Sequence, residues 1–325
     1  MLDFRIGTFL EVCKDMNFTK AARRLNLTQP AVSQHIRWLE ESYGTKLFFF
    51  QGKKMRLTPA GELLKDGAAT MSHDITLLKE KMQESTQKKR ELRLGLTLTI
   101  AEFEVVASVA EYLLKEPSCS MLLSVGNTQK LLRELEEGTI DFALVEGNFP
   151  GDIYHHQLYA KERYIAVCSG TDPLAEGLHT IEELLAQRLI TREAGSGTRN
   201  ILERYLEMES LEVTSFHALV EAGSMGLIKQ LVEYGCGITF LYQTAVKREL
   251  EEGRLCEIHM KDMDITHDFS FIWREGSIFH EDYQKVFQML KNARMGEIPY
   301  RDTIMPTKIG EKEEIPYRDT IMPKK

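Results

Sequence analysis

Apolar and polar positions follow three successive rhythms along this chain, with changes near residues 59 and 91. The first rhythm is helical and punctuated by capping residues. Thr19 stands where it can cap a short helix whose thin apolar side, Ala21, Ala22 and Leu25, admits a close neighbour. Asn26 and Leu27 make a turn, and Thr28 can cap a second helix with Pro30 in its first turn, where a missing N–H costs nothing. Val32, Ile36 and Leu39 then recur at spacings of four and three, which directs one face of this second helix inward. Its opposite face presents Gln29, Ser33 and Arg37, with Gln34 beside them, and no carboxylate. Residues 47–50 and 55–58 read as two strands around a glycine-containing turn. The helical periodicity alone fits two readings: a hairpin of helices with a solvated polar side, or a face built for base edges and phosphates in a major groove. The basic hairpin of strands that follows favours the second, a winged helix-turn-helix.

The second rhythm is a heptad. Leu64, Ala68, Met71, Ile75, Leu78, Met82 and Ser85 repeat at spacings of four and three, which predicts a long helix that pairs with another helix or packs on its own body. Self-pairing would give a symmetric dimer whose two recognition helices meet two half-sites. Four polar residues, 87–90, read as the linker that follows.

From Leu92 the rhythm becomes strand and helix in alternation. Strands are expected at "LRLGLTL", "MLLSVG" and "IDFALVEG", with helices over 100–115 and 128–137 between them. A second such unit follows, with "RLITRE", a helix opened by "GSGTRN", a strand ending near Glu221, a helix opened by "GSMG", and "GITFLY". This is an α/β layout with a largely parallel sheet, and two such units imply a cleft where ligands gather beyond the strand ends, at helix N-termini.

Charge sharpens the picture. The 325-residue chain has a net charge of −8, yet residues 1–60 carry ten Lys/Arg against five Asp/Glu, a net of +5 that leaves −13 on the remainder. A basic head on an acidic body is expected when one end docks on phosphates and the rest stays clear of them. The five cysteines are scattered without a CxxC pair, so they are expected to be reduced and mostly buried rather than zinc ligands or disulfides. No apolar run reaches membrane-spanning length and no leader pattern opens the sequence, so a soluble cytoplasmic protein is expected.

Candidate chemistry lies in the cleft. Thr97 and Thr99 end the first strand, Asn127 and Thr128 open the next helix, Ser196, Thr198 and Arg199 sit in "GSGTR", and Gly223 and Ser224 in "GSMG". Each hydroxyl has an ordinary reading as a helix cap, and Arg199 could simply pair with Glu203 four residues on. Their recurrence at successive strand ends supports an anion site. "GSGT" lacks the spacing of a phosphate loop, and neither HExxH nor a GxSxG elbow occurs. His155 and His156 are adjacent and would face opposite sides of a strand. No metal, cofactor or catalytic residue is therefore expected.

The order of these parts resembles the LysR-type transcriptional regulators, over nearly all of the chain to about residue 293. The specific piece is "FTKAARRLNLTQPAVSQHIRWLEESYGTKLF" followed by "LTPAG"; "LRLGLTLTI", "IDFALVEG", "REAGSGTR" and "GITFL" support it. The resemblance implies a winged helix-turn-helix DNA-binding domain over 1–59, a linker and dimerisation helix with its hinge over 60–91, and an effector-binding domain over 92–295. That last domain is expected to be α/β with two subdomains, like a periplasmic binding protein: subdomain I over about 92–163 and 268–295, subdomain II over about 164–267. Two crossover strands would join them, near 160–167 and 267–273. Matching positions put Gln29, Pro30, Ser33, Gln34 and Arg37 at promoter DNA, and Thr97, Thr99, Thr128, Ser196 and Thr198 at a small, anionic effector, with Arg199 secondary. Many members carry an arginine where this chain has Phe50, which shifts the wing's phosphate contacts to Lys53, Lys54 and Arg56. A homo-oligomer, dimer or tetramer, is implied. The competing readings are a carrier, which has no use for residues 17–58, and an enzyme acting on a small anion, both built on the same cleft. The segment "EIPYRDTIMP" occurs at 297–306 and again at 314–323, and is expected to be a largely disordered tail.

Overall fold

The computed structural model describes residues 3–84, 91–147 and 149–295. Ser85, the polar linker 87–90 and the repeated tail lie outside the described residues.

The head consists of α1 (Phe4–Asp15), α2 (Phe18–Arg24), α3 (Gln29–Tyr43) and a hairpin of β1 (Phe48–Gln51) and β2 (Lys54–Leu57). The cap of α2 is Asn17, whose side chain accepts the Lys20 N–H at 2.9 Å, and Thr19 lies inside the first turn. The Phe18 ring packs on Phe48, 5.8 Å between centroids, and the helix starts two residues earlier than a cap at Thr19 would set it. Thr28 caps α3 as expected, with Pro30 in the first turn, and Gly44 closes it in the left-handed conformation. Val32, Ile36 and Leu39 join Phe9, Val12, Ala21, Leu47 and Leu57 in one core. The wing turns on Gly52 and Lys53, with Gly52 at φ +63° as a tight hairpin requires.

The sequence "LTPAG" explains how the wing leads into α4 (Pro59–Glu84). Thr58 caps it by accepting the Gly61 N–H at 3.0 Å and itself donates to the Lys46 carbonyl. A Cβ on Gly61 would lie 2.2 Å from the Leu47 carbonyl oxygen, so only glycine lets the helix sit this close to the wing. Further along, α4 divides its faces. Ala68 enters the core of the head and Leu77 the core of the body. On the body side, Arg274 donates to the Thr70 hydroxyl at 2.8 Å and the Asp66 carbonyl at 2.7 Å. The Asp74 carboxylate accepts from Ser277 at 2.7 Å and the Ile278 N–H at 2.9 Å, and His73 meets Asp141 at 3.3 Å. The helix thus packs on its own body. Leu63, Met71, Leu78 and Met82 still leave a stripe that is 77, 46, 43 and 67 % exposed.

The body comprises β3 (Glu91–Leu96), α5 (Val106–Lys115), β4 (Ser120–Val125), α6 (Thr128–Glu137), β5 (Phe142–Glu146), β6 (Tyr154–Ser169), α7 (Ile181–Leu184), β7 (Arg188–Thr191), α8 (Gly197–Met208), β8 (Ala218–Glu221), α9 (Met225–Glu233), β9 (Thr239–Tyr242), α10 (Gln243–Glu251), β10 (Leu255–Ile258), β11 (Ile265–Arg274) and α11 (His280–Met295). A π-helical turn, Ile100–Glu104, interrupts the single helix expected over 100–115. The sheet runs β10-β6-β11-β5-β3-β4, with β9 also on β6 and the β7–β8 pair beside it. β3, β4 and β5 are parallel, whereas β6 and β11 are antiparallel to each other and to their other partners, so the sheet is mixed rather than largely parallel. The reason is that β6 and β11 are long enough to run through both units: the start of β6 pairs with β11, its end with β9 and β10. Register also sets Cys168 directly opposite Cys256, a neighbourhood that spacing did not reveal. Both thiols are free, and burial pushes that of Cys168 up to about 12, which keeps it unreactive.

Candidate functional site

Two sites stand out, one in the head and one in the body. In the head, Gln29, Pro30, Gln34 and Arg37 lie exposed along α3, with Ser33 half-buried beside them. The Gln29 amide donates to the Ser33 hydroxyl at 2.8 Å, so the two are held as a unit. Lys53, Lys54 and Arg56 are exposed on the wing, and Phe50 there is 67 % exposed. Arg24 pairs with Glu11 and Asp15, and Lys46 with Glu40. Among the described residues, Arg37, Lys53, Lys54 and Arg56 make no ion pair within the chain. The uncompensated positive charge of the head is therefore carried by the outer edge of α3, by the wing and by exposed Arg23 of α2.

The second site lies between the two halves of the body. A cavity of about 260 Å³ is lined by Thr128 and Gly147 from one half, by Gly197 and Arg204 from the other, and by Glu146 and His267. Glu146 ends β5, as expected of a functional residue at the carboxyl end of a strand. Its Oε1 accepts from the Thr99 hydroxyl at 3.2 Å, and the Thr99 and Thr198 hydroxyls lie 3.4 Å apart, which ties the two halves together. The Thr128 hydroxyl donates to the Glu146 carbonyl at 2.8 Å. Glu146 is only 4 % exposed, and its Oε2 has no partner among the described residues. Burial raises this carboxyl to about 7, against the Thr99 and Thr198 hydroxyls and the charge of Arg192, which pull it down. His267 is pushed below its ordinary value by burial and by Arg204, so it is neutral at pH 7.

Geometry sorts the sequence candidates. Thr99, Thr128 and Thr198 are brought together around Glu146. Ser196 is the cap residue of α8 but makes no capping bond, and Thr97 is buried with its hydroxyl unpartnered among the described residues. Ser224 caps α9 by accepting the Leu227 N–H, and of the sequence candidates only Asn127 and Thr128 line the cavity itself, with Thr99 and Thr198 reaching it through Glu146. Arg199 is engaged elsewhere: it donates to Glu203 at 2.7 Å and the Arg192 carbonyl at 3.1 Å, and it pairs with Glu221. It braces α8 against β8. The sequence reading missed Glu146, Arg204 and His267. His155 and His156 face opposite sides, His155 against Trp273 and His156 against Phe149. No group of three or more His, Cys, Asp or Glu among the described residues could hold a metal.

Comparison with known proteins bears on both sites. Residues 5–62 match the family described as "Bacterial regulatory helix-turn-helix protein, lysR family", and residues 85–294 match "LysR substrate binding domain". The "Uncharacterized HTH-type transcriptional regulator YeiE" of Escherichia coli strain K12 is 30 % identical over 254 residues, 78 % of this chain and 85 % of that protein. Full-length LysG from Corynebacterium glutamicum, solved with the bound effector Arg, superposes with a TM-score of 0.61 at 16 % identity, covering 91 % of this chain and 98 % of the other. The regulatory domain of Synechocystis CcmR, solved with 2-PG, superposes with a TM-score of 0.57 at 21 % identity over 64 % of this chain and 98 % of the other.

Proposed function

Because this chain belongs to the LysR family of DNA-binding transcriptional regulators, whose models together span residues 5–62 and 85–294, we propose that a small anion held between its two subdomains controls how a pair of its heads grips promoter DNA. In this reading Gln29, Ser33 and Arg37 contact base edges, Pro30 and Gln34 border that contact, and Lys53, Lys54 and Arg56 hold phosphates. Thr97, Thr99, Thr128, Ser196 and Thr198 form the effector site together with Arg204, and Arg199 positions α8. The exposed stripe of α4 is the seam between two copies. The protein works in the cytoplasm, where its DNA is, and performs no catalysis. LysG is solved with Arg bound and CcmR with 2-PG, so small molecules occupy this fold in proteins of the same architecture. The N-termini of α6 and α8, both at the cavity, and Arg204 favour an anion here.

One observation carries the DNA reading: Arg37 and the wing cations are left without intramolecular ion pairs while neighbouring cations of the head are neutralised. Gel retardation with DNA from upstream of the protein's own gene should show sequence-selective binding that weakens steeply with salt. Equal affinity for unrelated DNA of the same length would overturn it.

A further inference from the structure

Resting on the anion reading of the cleft, we propose that Glu146 makes the site selective for oxyanions that carry a proton of their own, against isosteric oxyanions that carry none. The cavity combines opposed elements. The α6 and α8 N-termini and Arg204 attract negative charge, yet the same small space contains a buried carboxyl with one oxygen unpartnered among the described residues. An anion beside an ionised carboxylate is repelled where no water screens the pair. One proton between them removes the conflict. A ligand O–H can donate to the Glu146 carboxylate, or Glu146 can take a proton from solvent and donate to a fully deprotonated ligand. The first needs nothing from the medium, whereas the second weakens as solvent protons become scarce. An ammonium ligand would satisfy Glu146 but would set positive charge against two helix N-termini and an arginine.

The surroundings assign the pH dependence to Glu146. The turn after β3 and helices α6 and α8 supply the Thr99, Thr128 and Thr198 hydroxyls, which do not titrate in this range. Tyr164 of β6 and Tyr242 of β9, whose phenols feel the charge of Glu146, are pushed well above the ordinary range by burial. Arg192, beyond β7, is held by Glu193 at 2.7 Å. His267 of β11 is lowered and already neutral above pH 7.

The test uses the full chain, wild type and Glu146→Gln, titrated calorimetrically with inorganic phosphate and with sulfate between pH 6.5 and 8.5. Phosphate retains a proton throughout and sulfate has none. In the wild type, sulfate affinity should fall about tenfold per pH unit above 7 with uptake of one proton, seen as a heat that depends on the buffer, while phosphate affinity changes less than about threefold. In Glu146→Gln the amide donates in place of the acid. Sulfate binding should then lose its pH dependence and its proton uptake, and the preference for phosphate should vanish. The isosteric change keeps the fold, which an unchanged circular dichroism spectrum verifies. Equal binding of the two anions at every pH, or an unaltered profile in Glu146→Gln, overturns the proposal and leaves the anion site standing. Binding of methylammonium in place of either anion, lost in Glu146→Gln, overturns both. Binding of none of the three also overturns the proposal, whereas the DNA reading stands or falls on retardation alone.

Discussion

Arg37 and Lys53 carry the same charge at different places in the head, and their substitutions should be distinguishable. A guanidinium on α3 can address two acceptors on one base, so Arg37→Ala should relax specificity at one position per half-site at a cost of about 1–3 kcal/mol. An ammonium on the wing acts as a point charge on phosphate, so Lys53→Ala should weaken all sequences alike and lower the salt slope by about one. A panel of operator variants measured at several salt concentrations checks both, and identical profiles would contradict the assignment. Glu146 gives a second residue-level outcome. Its carboxyl is raised in the folded chain from 4.5 to about 7, so the folded state binds the proton more tightly than the unfolded state does. The associated stability is complete below pH 4.5 and disappears as pH rises through 7, a loss on the order of 3 kcal/mol. Without anion, urea unfolding should show wild type losing this much relative to Glu146→Gln between pH 5 and pH 8. Residue types were readable where function is local: Thr28 and Pro30 fix the start of α3 by rules that act within one turn. Arg199 was not, because one of its partners, Glu221, comes from β8, twenty-two residues away. Glu146 was hidden inside "IDFALVEG", which reads as an ordinary strand. A charged residue at the end of an otherwise apolar strand, just before a glycine, was the available signal.

Among elements, α4 shows most clearly what periodicity can and cannot reveal. The heptad predicted a helix with an apolar seam, and the stripe through Met71, Leu78 and Met82 is present and open. The contacts of Thr70, His73 and Asp74 with the body could not be foreseen, since their partners Arg274, Asp141 and Ser277 become neighbours only once the chain has folded. A helix can serve both surfaces because they occupy different sides of it. Lysines at Met71 and Leu78 together should leave the folded chain intact, since neither side chain is buried, and should convert dimers to monomers in sedimentation velocity. The same double variant should lose operator retention, because a single half-site offers too few contacts. Unchanged sedimentation would rule out the stripe as the seam. The strands were legible from their apolar runs, but their directions were not. Parallel order in β3, β4 and β5 follows from the crossover helices, whereas the length of β6 and β11 imposes antiparallel pairing on their neighbours.

At the scale of the molecule, head and body are not beads on a string. Ala68 is part of one core and Leu77, on the same helix, part of the other. The 26 residues of α4 span about 39 Å, rooted at the wing through Gly61 and Thr58 and at the body through Asp74 and Arg274. Contacts of α4 with the body reach back to Asp66, so the stretch from there to Pro59 is about 10 Å, and a tilt of about 5° of the body carries that end through about 1 Å. Since the Thr99 and Thr198 hydroxyls meet across the cleft, closing or spreading that cleft by a fraction of an ångström is the kind of movement a small ligand can impose. Head and body share one helix, so a movement imposed on the body at the cavity would reach the DNA as a rotation of the whole head.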